Sequence, residues 1–141
     1  MWALPTVLTL HTAGMALLVG ASWMLDLRLL GISRNVPLSA FRWVFPAIGV
    51  GLVVNLVTGV LLFTKNATTW GASIPFLIKM CLVIASVATL MPIRSLVSGR
   101  EGIAAGGAGD VTRNTRLLAI ASILAWAGAV TAGRLLAYVM P

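Results

Sequence analysis

The sequence predicts an all-α integral membrane protein, a four-helix bundle running up-down-up-down with both termini extracytoplasmic. Long apolar runs, scarce charge and an uneven distribution of arginine carry that expectation. A hydrocarbon core of about 30 Å needs roughly 20 apolar residues in helical form. Four such windows, 2–24, 43–63, 73–91 and 117–139, cover most of the 141 residues. The chain is 60% hydrophobic and 9% charged, with a mean hydropathy of +1.03. So little polar surface would not keep a soluble domain dispersed. Residues 1–141 therefore read as a single transmembrane domain surrounded by lipid bilayer.

The first run has no basic residue before it and is long, unlike a secretory signal peptide. Beyond it, Leu25–Ile32 keeps apolar residues on both sides of Asp26 and Arg28, so the first helix is expected to continue past the membrane boundary. Pro37 and Ser39 prepare the second helix, and Pro46 falls in its first turns, where a missing N–H costs least. Pro75 plays the same part in the third helix, and Pro92 is expected to end or kink it. The stretch 98–110 holds five glycines and reads as a mobile cytoplasmic loop before the fourth helix. Cys81 is the only cysteine, which excludes an intrachain disulfide.

Arg28, Arg34 and Arg42 lie in the first connection, and Arg94, Arg100, Arg113 and Arg116 in the third; the middle connection carries Lys65 alone. The positive-inside rule then sets the first and third connections in the cytoplasm. Trp2 and Trp70 would mark the outer interface, and Trp23 and Trp43 the inner one. The net charge of +7 belongs to these span-flanking arginines, so it points to anionic headgroups and not to nucleic acid.

Burying leucine does not drive association in lipid, whereas close approach at small residues does. Gly51, Asn55 and Gly59 in the second span, and Ala121, Ala125, Ala129 and Gly133 in the fourth, recur every four residues and predict two packing faces. Asn55 is expected to need an interhelical partner, since an unsatisfied amide in the bilayer is costly.

Stacking the spans with this topology sets His11, Asn55, Thr58, Lys79 and Arg134 at one level, roughly 8–13 Å below the outer surface at 1.5 Å per residue. Thr131, Arg134 and Tyr138 share a face of the fourth span. An intramembrane charge costs about 2.5–3.5 kcal/mol on insertion scales. Snorkelling of Lys79 and Arg134 to the headgroups is the plainer account of each taken singly. Together with His11 they make a candidate cofactor-binding set (His11, Lys79, Arg134, Tyr138, Asn55 and Thr58) for an electron-rich group such as a quinone carbonyl or a haem b propionate. The alternative soft set is His11, Met15 and Met80: His11 with Met15 as a site for Cu(I), and Met80, at about the depth of His11, as its partner across a single haem. Asp26 is expected to pair with the arginines of its own leaflet as a structural clasp. No phosphate loop, zinc spacing, nucleophile elbow or carboxylate pair occurs, which argues against an enzyme.

Leu10, His11 and Gly14, then Asp26–Gly31 (DLRLLG), Thr58 and Gly59, Phe76 and Lys79, and Gly133, Arg134, Ala137 and Tyr138 form an ordered set along the chain. This set resembles a family of small bacterial four-helix membrane proteins of unknown function, distantly similar to the membrane domain of copper-resistance protein D. The resemblance implies a multi-pass protein of the bacterial inner membrane and carries no established activity. Two functional expectations follow. The first is a non-catalytic subunit of a larger respiratory or photosynthetic electron-transfer assembly, with other membrane subunits as partners. The alternative is a haem b- or quinone-binding redox protein, or a copper permease-like protein.

Overall fold

The computed structural model describes residues 2–33, 35–65, 67, 73–98 and 113–139. Their regular structure is helical throughout: α1 (Ala3–Leu29), a short 3-10 helix η1 (Leu38–Trp43), α2 (Val44–Lys65), α3 (Ile74–Ser98) and α4 (Arg113–Val139). All four α-helices are long and apolar enough to cross a membrane. Their outward faces are apolar too, with Val53, Leu56, Ile84, Met91 and Leu124 largely exposed. Water would penalise so extensive an apolar exterior, whereas acyl chains do not. The chain is a multi-pass membrane protein.

Local chemistry explains where the helices begin and end. α1 runs five residues past the 2–24 span, as the Leu25–Ile32 pattern predicts, and stops in a Schellman cap. The Ile32 N–H bonds the Leu27 carbonyl and the Gly31 N–H bonds the Arg28 carbonyl, both at 3.1 Å. Gly31 supplies the required positive φ of 104°. Pro46 and Pro75 lie in the first turns of α2 and α3 as expected. Pro92 does not end its helix: α3 continues to Ser98. A proline N–H that is missing inside a helix frees one carbonyl a turn earlier, and the residues that follow still reach their own acceptors. Ser98 therefore closes α3, and the rest of the glycine-rich stretch 98–110 lies outside the described residues, as do Arg34, Trp70 and Arg100.

The bundle consists of two hairpins, α1 with α2 and α3 with α4, joined where α1 packs on α4. Gly51 is a point of close backbone approach in the first hairpin. A Cβ there would lie 2.9 Å from the Leu18 amide nitrogen and 3.0 Å from the Gly14 carbonyl oxygen. A Cβ on Gly14 would meet Val54 Cγ1 at 2.9 Å. Partner numbers fall on α2 as they rise on α1, so these two helices run in opposite senses. The Gly51, Asn55 and Gly59 stripe therefore faces α1, as its spacing predicts. In α4, Ala129 is buried and Gly133 lies against Lys79, while Ala121 is exposed.

Leu18, Val44, Ile48, Leu90 and Trp126 form one dry core. Leu25, Leu29, Ile93, Val97 and Ala119 form a second, toward the η1 end of the bundle. At the other end α2 and α3 do not pack along their length. They meet through Phe63 and Phe76, whose rings stack at 5.1 Å and 23°.

Candidate functional site

The gap between the hairpins is a cavity of about 260 Å³, walled by α1, α2 and α3 with Trp126 of α4 contributing. Besides the Trp126 indole, its polar lining comes from His11, Asn55 and Lys79; the remaining walls are apolar. Leu56, Val60 and Met80 line it while exposing 62%, 55% and 38% of their surface. The mouth therefore opens sideways between α2 and α3, toward acyl chains. The Phe63 and Phe76 side chains form part of the wall.

His11 is half-buried, and its Nδ1 lies 2.9 Å from Thr58 Oγ1. Thr58 has one hydroxyl hydrogen, and its Oγ1 is 2.6 Å from the Val54 carbonyl. That proton goes to Val54, so the hydroxyl accepts from His11 and the Nδ1 carries the hydrogen. A neutral His11 then keeps a bare Nε2 lone pair. Gly59 provides the room: a Cβ there would lie 3.4 Å from His11 Cε1. Thr58 orients the imidazole from behind and does not line the cavity. The threonines Thr6, Thr9 and Thr12 instead satisfy their hydroxyls on carbonyls four residues earlier in α1.

Lys79 comes from α3, with its stem against the bare backbone of Gly133. A Cβ on that glycine would lie 3.5 Å from Nζ and 3.6 Å from Cε. Lys79 is half-buried and makes no ion pair with any described residue, so its ammonium is available to a partner in the cavity. Asn55 lines the same space, and the interhelical partner expected for its amide is not found among the described residues.

The structure does not bring Arg134 and Tyr138 to this cavity. Neither lines the cavity, and both are exposed, Tyr138 by 80%. Gly133 turns toward Lys79, and one residue further along a helix is rotated by roughly 100°. Arg134 and Tyr138, four residues apart, consequently share a face that points away. Thr131 is exposed as well and bonds the Ala127 carbonyl at 2.8 Å. The alternative soft set fares better, since His11, Met15 and Met80 all line the cavity. Among the described residues no three His, Cys, Asp or Glu side chains cluster as a metal site.

Asp26 requires a correction. It is fully buried and, among the described residues, neither carboxylate oxygen has a hydrogen-bond partner and no arginine pairs with it. Arg28 instead directs its Nε to the Val36 carbonyl at 2.7 Å and ties down the turn after α1. Ser22, Ser86 and Ser122 are fully buried beside the core. Serines inside apolar spans were the sequence signal for this polar interior.

Fold and site together define a class: a multi-pass helical membrane protein with a cavity open to the lipid between its two hairpins. No protein-family model, no curated protein and no solved structure matches the chain.

Proposed function

We propose that the protein binds, without catalysing a reaction, a lipid-soluble molecule with an electron-rich head, and that a quinone ring is the class the cavity suits best. The supporting observation is an apolar cavity open to acyl chains, lined by a lysine with no ion pair among the described residues and an asparagine amide. A quinone carbonyl would accept from Lys79 Nζ and from the Asn55 amide. In the reduced form of the ring, a phenolic O–H would donate to the bare His11 Nε2. The aromatic walls of Phe63 and Phe76 suit a flat ring, and the tail would leave through the mouth between Leu56, Val60 and Met80.

Haem b fits this space less well. At about 260 Å³ the cavity is below the roughly 300–1,000 Å³ usual for drug-sized ligands, and a porphyrin is large among them. A copper reading draws on one specific observation, that His11, Met15 and Met80 line the same cavity. Imidazole and thioether suit Cu(I). A subunit role in an electron-transfer assembly would supply a context for quinone binding, but the small-residue faces that motivated it are largely used inside the bundle. In this reading the protein lies in a bacterial inner membrane, up-down-up-down, with both termini extracytoplasmic. Support comes from Arg28, Arg42, Arg94 and Arg116, which flank the η1 end of the bundle.

Solvent extraction of protein purified in mild detergent, followed by chromatography, tests the proposal. The expected result is stoichiometric quinone in the wild type and its loss in Lys79→Met. An extract no richer than a detergent blank, together with no binding of an added short-tailed quinone in nanodiscs, sinks it. Metal analysis of the same sample decides the copper reading.

A further inference from the structure

The interface of α1 and α4 contains a second polar cluster, toward the η1 end from the cavity. Asp26 and Ser122 are fully buried, and among the described residues both Asp26 carboxylate oxygens, the Ser122 hydroxyl and the Trp126 indole nitrogen lack hydrogen-bond partners. The Asp26 carboxyl and Ser122 hydroxyl lie next to each other without closing a hydrogen bond of good geometry. Ser22, one turn before Asp26, donates its hydroxyl to the Leu18 carbonyl at 2.8 Å, which leaves its oxygen lone pairs free. Buried polar atoms are nearly always satisfied, and a group of unsatisfied ones marks the place of a water or an ion.

The carboxylate narrows the choice. A buried negative charge persists only where a positive charge meets it. Among the described residues no cationic side chain forms an ion pair with Asp26. Arg42 on η1, Arg94 on α3, and Arg113 and Arg116 on α4 are exposed. Arg28, on the same helix, turns its Nε to the Val36 carbonyl. His11 and Lys79 line the cavity, and His11 is roughly four turns away along α1. One carboxylate balances a single positive charge, so a divalent cation would leave a net charge buried among apolar helices.

We propose that Asp26 and Ser122, with Ser22 beside them, form an intramembrane site for one small monovalent cation, either sodium or a proton. Sodium would be held between the Asp26 oxygens and Ser122 Oγ. A proton taken from water would reside on an Asp26 oxygen with Ser122 as its hydrogen-bond partner, and no other bond would change. Trp126 lies one turn along α4 from Ser122 and also lines the cavity. The inference does not depend on what the cavity binds.

The test uses the full chain in nanodiscs. Thermal unfolding in sodium chloride is compared with N-methylglucamine chloride at equal ionic strength, and infrared difference spectra are recorded through a pH titration. For sodium, the expected result is a rise in melting temperature with sodium that Asp26→Asn abolishes. For a proton, it is a carboxylic-acid carbonyl band that disappears in Asp26→Asn. Ser122→Ala should retain either signal with the midpoint shifted about tenfold in cation concentration, and it serves alone if Asp26→Asn fails to fold. A wild type that neither responds to sodium nor shows a carboxylic-acid band overturns the proposal in favour of ordered water. A sodium response undiminished in Asp26→Asn, or in Ser122→Ala where only that variant folds, overturns it equally.

Discussion

At the scale of single residues, the DLRLLG segment resolves into three separate tasks. Asp26 turns into the bundle, Arg28 holds the following turn through Val36, and Gly31 caps the helix with a positive φ. His11 and Thr58 form a comparable unit, in which one hydroxyl fixes which imidazole nitrogen faces the cavity. Removing that hydroxyl in Thr58→Val deletes a hydrogen bond worth about 0.5–1.5 kcal/mol. Titration with a short-tailed quinone should then show affinity lower by roughly two- to tenfold. Lys79→Met removes a charge-assisted bond of about 1.5–3 kcal/mol, so the same titration should show a loss of roughly ten- to a hundredfold. Arg134→Gln, remote from the cavity, should leave affinity within about twofold. That His11, Asn55 and Lys79 fall at one level of the bundle was legible in the sequence, because helical rise converts position into level, and the three line one cavity. The direction in which each side chain points was not. In water an apolar stripe reveals the inner face of a helix, but lipid and protein interior are equally apolar. For Arg134 the sequence left both snorkelling and an inward role open; Arg134 is exposed, and its neighbour Gly133 is the residue that faces Lys79.

At the scale of helices, small residues supply the orientation that hydropathy cannot. The four-residue spacing of Gly51, Asn55 and Gly59 identified the face of α2 that meets α1, since backbones approach only where side chains are absent. Gly51→Ala places a methyl group against the Leu18 and Gly14 backbones, which cannot rotate away as a side chain would. Overpacking of this kind costs about 1–3 kcal/mol. Gly49→Ala, with open space around the new methyl, should change stability by less than about 1 kcal/mol. Unfolding of both variants in a detergent series checks the contrast, and equal effects would mean that the hairpin does not close on Gly51. The helix ends were less legible. The continuation of α1 past its apolar window was legible in Leu25–Ile32, whereas of the two roles open to Pro92, ending or kinking the helix, ending is excluded, because a proline removes one donor and leaves the next turn intact.

At the scale of the whole molecule, the cavity exists because two well-packed hairpins are joined through α1 and α4 and not along α2 and α3. No single helix carries a signature of that space. It arises from a packing omission, and a sequence displays residues, not gaps between helices. Val60 is at the mouth, lines the cavity and is more than half exposed. Val60→Trp should obstruct the lateral opening and reduce quinone occupancy several-fold, as read by extraction, while helix content by circular dichroism stays unchanged. Unaltered occupancy would mean that the ligand arrives by another route.

The sideways opening also determines what can select a guest. A molecule dissolved in the bilayer already has its tail among hydrocarbon, and moving that tail against Leu52, Leu56 and Val60 exchanges one oily neighbour for another. Little driving force comes from greasiness, so long and short tails should bind alike once corrected for their partitioning into lipid. Under the proposed function, discrimination then falls to three hydrophilic side chains, a lysine, an amide and an oriented imidazole.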